Sequence, residues 1–208
     1  MKKIVKKSGF TLVELIVVIA IIGVLAAILV PTMLGYVTQS RIVSANSTTS
    51  SVRQSINMFL TEANAGNYGM FKSSTQSTEG NIKIVNGVWT LNVADPTVFV
   101  QSNSITWSGS GSAQHGQPAA NRSNAEDLLA TQLANSFPEI ETGYIGFYLV
   151  GGECCAVYLT QETDVPITMQ TFGANGWSSD VYGWNGQTAG INTEGYCVGT
   201  APVLLLGQ

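Results

Sequence analysis

Between Phe10 and Leu34 the chain reads FTLVELIVVIAIIGVLAAILVPTML, and one side chain in that run can carry a charge, Glu14. A carboxylate among aliphatic residues calls for a cation, because an ionisable group inside an apolar span costs at least a few kcal/mol and is usually partnered. No Lys or Arg occurs between Phe10 and Gln39, so the cation must come from outside the segment.

Other residues offer less. His115 is the single histidine, and no P-loop or GxGxxG pattern occurs, so no credible catalytic set forms. The acids Glu139, Glu141, Glu153, Glu162 and Asp164 are scattered and read as solvated surface. Glu162 and Asp164 lack the regular acid spacing of a calcium loop, and the cysteines lie far from His115, so neither a metal nor a cofactor is expected. Cys154, Cys155 and Cys197 are an odd count, which allows at most one internal bridge. Adjacent residues of a strand face opposite ways, so only one of Cys154 and Cys155 could join it. Trp177, Tyr182 and Trp184 lie in GANGWSSDVYGWNGQ. Such rings can stack on sugar faces or anchor a protein contact, or pack a small core beneath the loop.

The element that carries Glu14 is a helix. Twenty-five residues at about 1.5 Å each cover a bilayer core of about 30 Å. The sixteen residues from Leu15 to Val30 exceed the apolar core of about 7–15 residues of an ordinary signal peptide. Lys2, Lys3, Lys6 and Lys7 precede the span, which predicts a cytoplasmic N-terminus and an external C-terminal bulk. Beyond it, Ile42, Ala45, Thr49, Val52, Ile56, Phe59 and Ala63 recur at steps of three and four, so one helical face stays apolar. The expected helix is thus apolar all round in its first half and amphipathic in its second. Pro31 should bend it, and Gly66 and Gly69 should end it.

Residues 66–80 read as a polar connection. Two hairpins follow: Ile82–Val85 with Val88–Val93 about Asn86-Gly87, and Tyr144–Val150 with Glu153–Thr160 about Gly151-Gly152. Val98–Val100 and Ile105–Trp107 suggest a weaker strand pair, and Ser108–Asn121 an exposed loop. Ser123 and Glu126 suggest a capping box for a short helix to about Asn135. Pro166–Met169 reads as an edge segment, residues 173–190 as loop, and Tyr196–Val198 and Pro202–Leu206 as closing strands. The fold class is α+β: a long N-terminal helix on an antiparallel sheet head. Its parts are residues 1–9, 10–35, 36–64 and 65–208.

The string KKSGFTLVE, Lys6 to Glu14, with its basic start and long apolar sequel, resembles the processing site of the type IV pilin and pseudopilin family. The resemblance covers about residues 1–40, and Pro31 falls where the family has a helix-kinking proline. It implies that a prepilin peptidase removes residues 1–9 by cutting after Gly9 and N-methylates Phe10. The new amine would lie beside the membrane, and in the family the acid at Glu14 is thought to meet the amine of a neighbouring subunit. Losing the four leader lysines takes the formal charge from −4 to −8 before the new amine, which disfavours a nucleic-acid partner. The implied partners are other copies or related pilins, the peptidase, the assembly machinery and, before assembly, the membrane.

The implied product is a subunit of an extracellular filament, first held in the cytoplasmic membrane by a single pass. The alternatives are a pseudopilin of a secretion or DNA-uptake machine, and a minor pilin or adhesin that binds glycans or surfaces through Trp177, Tyr182 and Trp184. An enzyme is not expected. The resemblance also implies a bridge from Cys197 to Cys154 or Cys155.

Overall fold

The computed structural model describes residues 10–160, 172–173, 176–177 and 198–201. The chain divides into two units, residues 1–40 and residues 41–208. Helix α1 (Leu12–Ala65) begins in the first and ends in the second, passing through Pro31. The expected periodicity holds from Thr49 onward: Thr49, Val52, Ile56, Phe59, Leu60 and Ala63 are all 3% exposed or less, while Ala45 is half-buried. Ser51, Gln54, Met58, Thr61 and Glu62 face out. At the C-terminus the left-handed residue is Asn67, with φ 61°, and not either glycine. It turns the chain so that the N–H groups of Tyr68 and Gly69 both reach the Ala63 carbonyl, at 3.0 and 3.1 Å.

That face of α1 shares one core with a six-stranded antiparallel sheet. Its strands are β1 (Ser77–Val85), β2 (Val88–Val93), β3 (Ser110–Gln114), β4 (Gly143–Val150), β5 (Glu153–Thr160) and β8 (Val198–Ala201). They lie in the order β3-β2-β1-β4-β5-β8. Ile82, Ile84, Trp89, Leu91, Ile145, Phe147 and Val157 belong to the core, with Leu129 and Leu133 of α2 (Ala125–Ser136). Both hairpins form as expected. Asn86 and Gly87 have φ of 51° and 73°, and Gly151 and Gly152 have 60° and 91°. Two positive φ values in a two-residue turn give the twist that antiparallel strands need.

Several expectations need correction. Strand β1 begins at Ser77, inside the stretch read as polar connection. Val98–Val100 and Ile105–Trp107 do not pair. Pro96 opens a single 3-10 turn to Val98, capped by Asp95, whose Oδ1 accepts from Thr97 N at 2.9 Å. Phe99 instead bridges Phe71, and Thr106 bridges Asn124. Ser110–Gln114, read as part of a loop, is strand β3, paired with β2 from Val88↔Gln114 to Asn92↔Ser110. The cap of α2 is Asn124 rather than Ser123; its Oδ1 accepts from Glu126 N at 3.0 Å. Glu126 reaches away from the cap, accepting from Ser108 N at 3.1 Å and Gly109 N at 2.6 Å. Burial pushes its carboxyl up against those bonds. Phe172–Gly173 and Gly176–Trp177, within or beside the stretch read as loop, are the paired two-residue strands β6 and β7. Pro166–Met169 and Pro202–Leu206 lie outside the described residues, as do Tyr196 and Cys197.

The cysteines fall on opposite sides of β5. Leu149 pairs with Cys154 and Tyr148 with Ala156, which leaves Cys155 as the extra residue of a bulge. Cys154 is buried in the core and Cys155 is exposed, both as free thiols. Burial pushes the Cys154 thiol up, further from its reactive thiolate. Helix α1 holds this point of the strand. Asn57 Oδ1 accepts from Cys154 N at 2.7 Å, and Arg53 Nε donates to its carbonyl at 2.9 Å.

Strand β8 lies beside β5 with Val198 opposite Thr160. Cys197 lies outside the described residues, and so does the expected bridge from it to Cys154 or Cys155.

Two outcomes follow from this packing. In detergent-solubilised chain, Ile56→Ala should lower the unfolding free energy by about 2–5 kcal/mol in urea titration. Gln54→Ala, on the exposed side of the same turn, should change it by less than about 0.5 kcal/mol. In folded, reduced chain, iodoacetamide should label exposed Cys155 well before buried Cys154, by peptide mass mapping. Equal labelling of the two would mean that the core does not cover Cys154.

Candidate processing and assembly segment

The segment that carries Glu14 starts with a closed hydrogen-bond ring. Thr11 N and Thr11 Oγ1 donate to Glu14 Oε2 at 2.8 and 2.7 Å, and Glu14 N donates back to Thr11 Oγ1 at 3.3 Å. This is a capping box: the hydroxyl takes one of the unpaired N–H groups of the first turn, and the carboxylate takes the amide before it. Its sequence signal, Thr-x-x-Glu ahead of an apolar run, stood in the chain, but the sequence reading looked for a partner outside the segment. The capping box supplies a local one. It engages Oε2, and Oε1 has no hydrogen-bond partner among the described residues.

Behind the ring the helix is apolar on every side. Residues Leu12–Pro31 are long and apolar enough to cross a bilayer, and none of that window is buried. Among its large hydrophobic residues, exposure runs from 47% at Val18 to 73% at Leu12. Aliphatic surface exposed all the way round suits lipid or a bundle of like helices, not water. Phe10 stands just before the helix and Pro31 lies inside it. Gly9 and the leader lysines lie outside the described residues.

The other expected site residues are not brought to this segment. Cys154 and Cys155 stand on β5, and Trp177 ends β7. Cys197, Tyr182, Trp184, Glu162 and Asp164 lie outside the described residues. His115 Nδ1 is 3.3 Å from the Ala134 carbonyl, at the last turn of α2. Among the described residues, no three His, Cys, Asp or Glu side chains gather as a metal would need.

Residues 4–30 match the family model described as the prokaryotic N-terminal methylation motif. The chain is similar to three proteins named type IV major fimbrial protein FimA from Dichelobacter nodosus. Identity is 41% over 60 residues, 45% over 50 and 44% over 50. These matches cover 29%, 24% and 24% of this chain and 38%, 32% and 31% of the relatives. The chain therefore matches about a third of the length of these relatives. No solved structure matches it. The N-terminal segment thus carries the methylation motif and is similar to the start of type IV fimbrial proteins, and in this chain it leads into an apolar helix and an antiparallel sheet head.

Proposed function

We propose that the chain is a structural subunit of an extracellular type IV pilus-like filament, made as a membrane precursor and assembled through its N-terminal helix. The observation that carries this reading is the lone acid at the head of a helix that none of the described residues covers. In the proposed sequence a prepilin peptidase cuts between Gly9 and Phe10 and N-methylates Phe10. The assembly machinery then moves the span from lipid into a bundle of copies.

Apolar surface only exchanges lipid for neighbouring helices in that move, so hydrophobic burial gives it little drive. Register is the task of Glu14. One carboxylate oxygen stays with Thr11, and the other faces the amine of a neighbouring copy. Two unit charges about 4 Å apart attract by about 4 kcal/mol at an effective dielectric of 20, and removing them from water costs a comparable amount. The pair selects one alignment: a neighbour shifted by one helical turn leaves the amine and the acid unmatched.

Two measurements test the reading. Mass spectrometry of the native chain should give a polypeptide that starts at N-methylated Phe10; a start at Met1, or beyond Ala26, would overturn it. Glu14→Ala should be cleaved normally and then fail in filament assembly or in N-methylation. Wild-type filament yield with wild-type methylation would remove the role assigned to Glu14.

A further inference from the structure

A six-stranded open sheet has two edges, and each presents N–H and C=O groups that invite another strand. In β3 the residues whose backbone groups point outward are Ser110, Ser112 and Gln114, since Val93 N already takes the Gly109 carbonyl from the β2 side at 2.9 Å. The first turn of α2 occupies that edge. Ser112 N donates to Asp127 Oδ1 at 2.6 Å. The Ser110 carbonyl accepts from Asn124 Nδ2 at 2.8 Å. The Gln114 carbonyl is taken by Gln117 N at 3.1 Å.

Close fit accompanies the bonds. A Cβ on Gly111 would fall 2.5 Å from the backbone of Glu126 and Asp127, so the helix sits directly on the strand. At the opposite edge, Thr200 N of β8 donates to Asn46 Oδ1 of α1 at 2.9 Å.

We propose that Asn124 and Asp127 are edge guards: they take two of the outward backbone groups of β3, the Ser110 carbonyl and the Ser112 N–H, and keep heads of separate copies from joining sheet to sheet. Without them, β3 would accept the β3 edge of a second copy in antiparallel pairing. The inference does not rest on the filament reading, because Glu14 and the span are untouched by its test.

The test uses full-length chain in detergent. Asp127→Ala leaves Ser112 N exposed as a donor. It should self-associate increasingly with concentration in sedimentation, and its amide I band should show intermolecular antiparallel β-structure, while wild type shows neither. Adding Ser112→Pro should reverse both changes, since proline removes the outward N–H without touching a bond to β2. Asp127→Ala that keeps the wild-type near-UV circular dichroism and sediments like wild type would overturn the proposal. So would association that survives Ser112→Pro. If Asp127→Ala loses the near-UV signal, Asn124→Ser decides by the same two readouts. It keeps an oxygen to cap α2 and deletes the Nδ2 donor to the Ser110 carbonyl and to Ser108 Oγ.

Discussion

The head depends on one stripe of α1. Val52, Ile56, Phe59, Leu60 and Ala63 share one buried cluster with Ile82, Ile84, Ile145 and Phe147 of the sheet, and Phe59 also meets the rings of Tyr68 and Trp107. At about 25 cal/mol per Å² of apolar surface removed from water, this shared burial is the main drive for the domain to form. Apolar contact is not directional, however, and would tolerate a helix slid along the sheet. Polar bonds from α1 fix its position. Asn46 reaches β8, and Arg53 and Asn57 reach the bulge of β5 at Cys154. The Ser55 carbonyl accepts from Gln132 of α2 at 3.3 Å. A shift of one residue along the helix would break these bonds together.

The first half of the same helix obeys a different rule. It has no stripe, and its apolar residues are exposed all round, so it is at rest only where the surroundings are apolar as well. The Thr11–Glu14 ring makes a charged residue tolerable there, since it turns the acid into part of the helix cap. On the filament reading, the acid then has two tasks: it closes its own helix with one oxygen and aligns a neighbour with the other. The contrast between the halves also suits that reading, because one half is committed to its own head and the other is left for other molecules.

The acids that a search for chemistry would single out have structural work in the head. Glu126 and Asp127 are buried, and their four carboxylate oxygens accept from backbone N–H groups of Ser108, Gly109, Ser112 and Asn121. A carboxylate that folds a loop onto a helix N-terminus is favoured by the helix dipole and by the N–H groups it satisfies. This is why a stretch rich in Ser, Gly and Gln is held as an ordered strand, although it has almost no apolar side chains to bury.

What the chain determined by itself was everything governed by local period and local turn chemistry. The apolar run and its acid, the stripe from Thr49 to Ala63, and the Asn86-Gly87 and Gly151-Gly152 turns each follow from neighbours a few residues away. The tertiary structure decided what rests on backbone groups meeting at long range. Strand β3 forms because β2 on one side and α2 on the other supply partners for an SGSAQ segment with no strand pattern of its own. The cap of α2 moved to Asn124 because that side chain also holds Ser110. Strand β8 took its place beside β5 through pairings between residues about forty positions apart along the chain. Backbone N–H and C=O groups are the same at every residue, so a sequence does not mark which of them will be paired. Only the assembled sheet does.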